Sequence, residues 1–403
     1  MAVSSLLPAV EACLARTSAT LRLARREVAA LGLIAVLYLG ALGRVLGPAD
    51  FNPLVLARVS HDPPAERFWD QAPPFFNEQL AYDGRFFYYL ARDPLLRGGP
   101  PTYLDSPAYR YQRILLPALA HLLALGRPAA VGWGLVAANL LGVALGCRYA
   151  LQLARHFRAP AWWLLGYALN PGLLIGTLFD LSEPLAVGLC TAACAFAVRR
   201  RPLVAALLLS AALLARETVA LVAVVFLVHE LLAGRFVRRA LPYALPLLVA
   251  AAWQAALGAR FGQTPLGAGA MHLGWPLAGV IQRVGDGLPL DDPALLASQL
   301  AVLALALVAG LALVGLRSRS VFGWQLAAQG GFLLTLSAKV WESDAFLSVA
   351  RMAMLLYLFL LLATAEARAQ RAGWNPRRSG VSGAAGMSAP VPPAPAEGGW
   401  TIP

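Results

Sequence analysis

Charge is scarce in these 403 residues. Only 13% are Asp, Glu, Lys or Arg, about half the share of a typical soluble domain. Lysine is all but missing, with Lys339 the single example. Apolar residues make up 59% of the chain, against about 45–50% in soluble proteins. No ordinary core of one domain hides that much apolar surface. The composition therefore excludes a soluble enzyme and a disordered chain, and it points to a polytopic membrane protein. Cysteine is sparse too: Cys13, Cys147, Cys190 and Cys194. None falls in a segment read as extracytoplasmic, so no disulfide framework is expected. Cys190 and Cys194 share a helix face with no His or Asp beside them, and read as small packing residues. There is no CxxC, HExxH, P-loop or internal repeat.

The basic excess is +12. It does not form the single patch that nucleic acid would need. It falls in short Arg clusters between apolar runs, the pattern that marks cytoplasmic loops. Residues 1–27 read as a basic cytoplasmic N-terminus and 28–372 as an all-α membrane domain. About ten spans are expected, near 28–47, 128–147, 160–178, 182–198, 202–215, 217–232, 240–258, 294–316, 320–338 and 345–364. Residues 202–232 read either as two short spans or as one long helix. The stretch 48–127 is polar, aromatic and proline-rich, a first extracytoplasmic loop. Its end, 113–126, is too short for a span and reads as an interfacial or re-entrant helix. A second outer loop covers 259–293. The Gly/Ser/Pro-rich tail at 373–403 reads as disordered and cytoplasmic. With this parity, the Arg triplet 199–201 and the group 235–239 fall inside, and both termini are cytoplasmic.

Charge beside a span is costly, so it marks function or a paired structural site. Four such places fall on the outer side. Asp83 precedes the aromatic run Phe86 to Tyr89. It reads either as a general base moved toward neutrality in a partly dry cleft or as a plain helix N-cap. Asp180, Ser182 and Glu183 read as a solvated turn, with Ser182 as a cap. Arg216 reads either as a phosphate grip or as the partner of its neighbour Glu217. Arg351, two turns into an apolar run beyond Lys339, Glu342 and Asp344, has to face the protein interior. Tyr109, Arg110, Tyr111 and Arg113 lead into the interfacial segment and read as a snorkelling boundary or a lipid-phosphate contact. His121 reads as a packing residue, while His272 is more open to function. Together these residues suggest one outward site for an anionic, lipid-linked substrate.

The layout resembles the GT-C superfamily of membrane glycosyltransferases, in particular PIG-V-type mannosyltransferases and bacterial relatives of the PMT and ArnT families. The resemblance is carried by Tyr82-Asp83-Gly84 with the aromatics that follow, by Asn170-Pro171-Gly172 leading to Leu181-Ser182-Glu183-Pro184, by Arg216-Glu217-Thr218, and by the interfacial segment. It covers about residues 28–232. It departs from the PIG-V pattern in having Tyr82 where a Trp usually precedes the aspartate, and the first loop has no paired DD or DxD motif. The resemblance implies inverting transfer of a sugar from a polyprenyl-phosphate donor to a glycan, lipid or protein acceptor. It implies the extracytoplasmic face of a bacterial cytoplasmic membrane, with membrane lipids but no nucleic acid as partners. Asp83 would be the general base. Arg85, Tyr88, Arg113, Glu183, Arg216, Glu217 and Arg351 would hold the donor phosphate. Asp180, Glu342 and Asp344 would serve an acceptor or metal side. No cofactor is required, and a divalent cation is optional. A lipid or small-molecule transporter or flippase, and another lipid-headgroup transferase, are the competing expectations.

Overall fold

The computed structural model describes residues 23–60, 68, 82–97, 102–234, 239–269, 272–285, 291–341 and 345–373. The expected tail from 374 onward lies outside them, as do Glu342 and Asp344. The described residues are helical, with no strand among them.

Among the described residues, eleven α-helices lead to the expected second outer loop: α1 (Arg25–Leu46), α2 (Gly84–Arg92), α3 (Pro107–Tyr111), α4 (Leu115–Leu123), α5 (Val131–His156), α6 (Trp163–Ala168), α7 (Pro171–Leu178), α8 (Glu183–Val198), α9 (Pro202–Ala215), α10 (Val219–Leu232) and α11 (Ala244–Phe261). The remainder are α12 (Pro265–Gly269), α13 (Ala278–Gly285), α14 (Pro293–Ala312), α15 (Val321–Leu334), α16 (Ala338–Trp341), α17 (Ala345–Met352) and α18 (Met354–Arg371).

Among the described residues, four helical stretches are long and apolar enough to cross a bilayer: Arg25–Ala49, Pro128–His156, Leu241–Phe261 and Gln299–Arg317. Three of them bury little of their length inside the protein. They present Leu33, Val36, Leu248, Leu300 and Leu307 outward, an apolar surface too extended for water. The helices α8, α9 and α10 are apolar but short. Fourteen residues reach about 21 Å, against about 30 Å of hydrocarbon.

Several expected spans have a different form. Residues 160–178 are two helices, α6 and α7, and 345–364 falls across α17 and α18. Asn170 caps the first of these breaks and ties it to the second. Its Oδ1 accepts from the Gly172 amide at 2.9 Å and caps α7, and its Nδ2 donates to the Met354 carbonyl at 2.9 Å, at the start of α18. Freed backbone groups in an apolar setting need such partners. Residues 202–232 form two helices, separated at Arg216, which is extended (φ −152°, ψ 119°). The interfacial segment is the nine-residue α4, about 14 Å long, and it packs against α5 and α2.

The centre is the contact of α5 with α8. A Cβ on Gly188 would lie 2.2 Å from the Gly142 carbonyl oxygen, so the two backbones touch, as small residues permit between apolar helices. The contacts separate into two ends of the bundle. At one end Glu27, opening α1, meets Arg155 near the close of α5 at 2.5 Å. Ser320, at the start of α15, donates to Glu366 near the close of α18, and His229 lies near the Arg319 carbonyl. The opposite end carries the starts of α2 and α8, the α9–α10 turn and α17.

Gly84 fixes the start of α2 there. A Cβ on it would lie 2.3 Å from the Phe179 carbonyl oxygen and 2.9 Å from that of Ala57. Gly84→Ala is therefore expected to lower stability by about 1–3 kcal/mol through overpacking. Gly40→Ala, on α1 with open space around it, is expected to lower it not at all. Thermal unfolding in detergent checks both, and an equal effect of the two would contradict the packing argument.

Candidate functional site

Asp83 is the residue just before α2, but its side chain makes no cap hydrogen bond. It reaches instead to two guanidinium groups. Arg110 Nη1, on α3, donates to Asp83 Oδ1 at 3.0 Å. Arg351 Nη2, on α17, donates to Oδ2 at 3.3 Å. Arg351 also donates to the Tyr82 hydroxyl at 3.0 Å, and its Nε lies 3.2 Å from Glu183 Oε1. Glu183 accepts in turn from Arg216 Nη1 at 2.6 Å. At the outer end Arg110 closes on Asp105 through two hydrogen bonds of 2.8 and 2.7 Å. A six-membered chain of alternating charge results: Asp105, Arg110, Asp83, Arg351, Glu183, Arg216.

A second pair lies alongside. Arg113 grips Glu217 with both arms, at 2.8 and 2.6 Å, and donates to the Tyr109 hydroxyl at 2.7 Å. Aromatic rings back three of the arginines: Phe86 under Arg110 at 3.9 Å, Tyr109 under Arg113 at 4.8 Å and Tyr82 under Arg351 at 5.3 Å. Such stacking holds a planar guanidinium in a fixed orientation.

Depth sorts the cluster. Glu183 and Arg216 are 0% and 1% exposed and form its floor. Asp83 keeps 29% of its side chain exposed and Asp105 53%, so these two form the mouth. Oε2 of Glu183 and Nε of Arg216 have no hydrogen-bond partner among the described residues, an expensive state for buried ionised groups.

The turn before α8 is built by its backbone. Asp180 adopts a left-handed conformation (φ 47°) and the Leu181 amide reaches back to the Gly176 carbonyl at 2.8 Å. This is a Schellman closure of α7. It delivers Ser182 and Glu183 directly into the protein, with Pro184 in the first turn of α8.

Asp83, Glu183, Arg216 and Arg351 thus come together, as does the neighbouring pair Arg113–Glu217. Other expectations are corrected. Arg216 pairs with Glu183, not with its neighbour Glu217, and it sits too deep to be the outermost anion contact. Arg85 donates to Ser60 at 3.3 Å and lies over the Phe86 ring at 4.9 Å, the ring that also backs Arg110, but no ion pair joins it to Asp83 among the described residues. Tyr88 is buried and donates to the Phe68 carbonyl at 3.0 Å, also off the cluster. Asp180 is fully buried and accepts from Asn139 at 3.3 Å, and no ion pair joins it to the cluster among the described residues. Ser182 makes no cap bond and its hydroxyl is buried. His121 meets the Ala91 carbonyl at 2.9 Å, in keeping with packing.

Tyr109 and Arg110, for which the sequence offers a snorkelling boundary or a lipid-phosphate contact, and Asp105 of the first loop also enter the site. The i, i+3 spacing of Arg110 and Arg113 across the end of one short helix is the signal that places both toward Asp83. His272 completes the rim, with its ring 5.9 Å from that of Tyr109. Burial, Lys339 and Arg113 push its pKa below the ordinary value of 6.5. No grouping of three or more His, Cys, Asp or Glu suited to a metal ion occurs among the described residues.

The expected shift of Asp83 toward neutrality is reversed. Burial raises its carboxyl, but Arg351, Arg110 and Arg113 outweigh burial and hold it well below the ordinary carboxylate range. Asp105 is raised by burial and lowered further by Arg110, for a net decrease. Both are fully ionised at neutral pH. No family model matches this chain, and neither a curated protein nor a solved structure does.

Two outcomes follow from the pairing. Arg216→Gln leaves the Glu183 carboxylate buried without its shortest partner, and is expected to destabilise the protein by about 3–5 kcal/mol, read as a fall in thermal midpoint. Asp83 and Asp105 have folded pKa values below the ordinary 3.8. Their contribution is therefore complete above that pH and is lost as pH falls below it. Thermal midpoints measured from pH 6 down to 3 are expected to drop at the acid end, and Asp105→Asn to flatten the drop. An unchanged slope would remove the Asp105–Arg110 pair from the stability of the fold.

Proposed function

We propose that this protein is an integral membrane glycosyltransferase. It moves a sugar from a polyprenyl-phosphate donor to an extracytoplasmic acceptor by inverting displacement. The supporting observation is the convergence of Asp83, Glu183, Arg216 and Arg351 on one partly open cluster at one end of an apolar helical bundle. In this reading about ten apolar segments cross a bacterial cytoplasmic membrane. The Glu27–Arg155 end faces the cytoplasm with both termini, and the cluster faces out.

In the proposed reaction, Asp83 Oδ takes the proton of an acceptor hydroxyl. The acceptor oxygen bonds to the anomeric carbon as the bond from that carbon to the phosphate oxygen breaks. The electron pair leaves with the polyprenyl phosphate. Arg351 and Arg110 are placed to stabilise the charge of the departing phosphate. Arg216, occupied by Glu183, acts one step behind by holding the carboxylate that positions Arg351. A proton transfer of this kind contributes about 10²–10⁴-fold.

The second reading is a lipid or small-molecule transporter. The broken segments α6–α7 and α17–α18, joined by Asn170, favour it, since discontinuous helices carry transport sites. Arg351 lies at the α17–α18 break, but its carboxylate partners come from the starts of α2 and α8, and the remaining ion pairs gather at that end of the bundle, away from the α6–α7 break.

One assay separates the two. Membranes carrying the protein are given a radiolabelled polyprenyl-phosphate sugar, and label is followed both into an acceptor and across vesicles. Glycosyl transfer is expected, with Asp83→Asn slowing it about 10²–10⁴-fold. Full activity in Asp83→Asn removes the base assignment. Movement of intact donor without a covalent product supports transport instead.

A further inference from the structure

The charges of the cluster balance. Asp105, Asp83 and Glu183 face Arg110, Arg351 and Arg216, and Glu217 faces Arg113. A site so neutralised has little attraction for an anion. Yet its geometry is that of an anion site already filled. Asp83 presents one oxygen to Arg110 and the other to Arg351. A phosphate group bridges two guanidinium forks in the same manner. Both arginines are held by rings and by second carboxylates, Arg110 by Phe86 and Asp105, Arg351 by Tyr82 and Glu183. They therefore stay in place if Asp83 leaves. Asp83 is the movable member: it is the more exposed partner of each arginine's pair with it, and it stands at the open end of α2, where no cap bond holds it.

We infer that the Asp83 carboxylate occupies the seat of a substrate phosphate between Arg110 and Arg351, and that phosphate binding displaces it. The inference rests on the reading of Asp83 as the base, and it adds how that base is switched. While paired with two arginines, Asp83 is a poor proton acceptor. Once a phosphate takes the two guanidinium groups, the carboxylate is released beside the sugar and its basicity rises. The base is then active only when the donor is bound, which guards against idle chemistry on the empty site. No covalent change occurs in this step; one anion replaces another. The ligand chemistry is a phosphate mono- or diester, carried by a lipid or free in solution.

The test is competition. Removing the charge of the seated carboxylate should leave the seat open. Purified full-length protein in nanodiscs is titrated with a polyprenyl phosphate, and separately with inorganic phosphate, at fixed ionic strength. Asp83→Asn is expected to bind the polyprenyl phosphate at least about tenfold more tightly than wild type, although it transfers sugar far more slowly. Arg351→Gln is expected to bind it at least about tenfold more weakly. Tightening seen equally with inorganic phosphate assigns the seat to the bare phosphate; tightening only with the polyprenyl form adds a tail contact. Both support displacement.

Unchanged or weaker binding by Asp83→Asn overturns displacement, and if its transfer is still lost, the assignment of Asp83 as base survives. Tighter binding by Asp83→Asn in a protein whose wild type transfers no sugar keeps the seat and removes the glycosyltransferase reading. If Asp83→Asn does not fold, Asp83→Ser, smaller and equally uncharged, carries the same comparison.

Discussion

Arg351 is the residue on which the arrangement at this end of the bundle depends. It lies in an apolar helix near the C-terminal end of the described chain and is 7% exposed. A guanidinium in such a place needs partners. It finds two carboxylates, Asp83 from the first loop and Glu183 from the start of α8, with the Tyr82 hydroxyl between them. A single cation thus ties three remote parts of the sequence together. Arg216 and Arg110 extend that tie in opposite directions, one into the floor and the other to the rim. Breaking a pair in such a chain costs more than the pair contributes, because the remaining charge is left buried. The same property makes the cluster specific: few other packings of these helices satisfy every charge.

The apolar scaffold is what positions those charges. Gly142 and Gly188 let α5 and α8 meet backbone to backbone, which sets the depth of Glu183 at the head of α8. Gly84 lets the start of α2 press against the Phe179 carbonyl, which brings Asp83 to the same level. The Schellman turn at Asp180 leaves no slack between α7 and α8. Side chains that act together here are held by backbone contacts that tolerate no added methyl group.

Much of this was legible in the sequence, and the rest was hidden for identifiable reasons. All-α architecture follows from apolar runs with few charges. The grouping of Asp83, Glu183, Arg216 and Arg351 was expected because charge of both signs recurs at the ends of apolar runs, where it is costly unless paired. Pairing did not follow. Adjacent Arg216 and Glu217 suggest a local pair, but side chains one residue apart point in different directions, and each found a distant partner. The α9–α10 break carries no Gly or Pro at Arg216 to announce it; it is imposed by those partners. The opposite holds at Asn170-Pro171, where the break is written in the residues yet a run of apolar neighbours masked it. The direction of the Asp83 shift was also beyond reach, because burial alone raises a carboxyl, and only the positions of three arginines reverse the sign.

The cluster draws on α2 and α3 at one extreme and α17 at the other, and this has a bearing on biosynthesis. A chain leaving the ribosome presents Asp83 and Glu183 to the membrane long before Arg351 exists. During that interval Arg110 can shield Asp83, and Arg216 can neutralise Glu183, so no acid waits alone for the end of translation. Arg351 comes last in the sequence of all the cluster's residues, so a product truncated before α17 would hold its acids without ever closing the cluster.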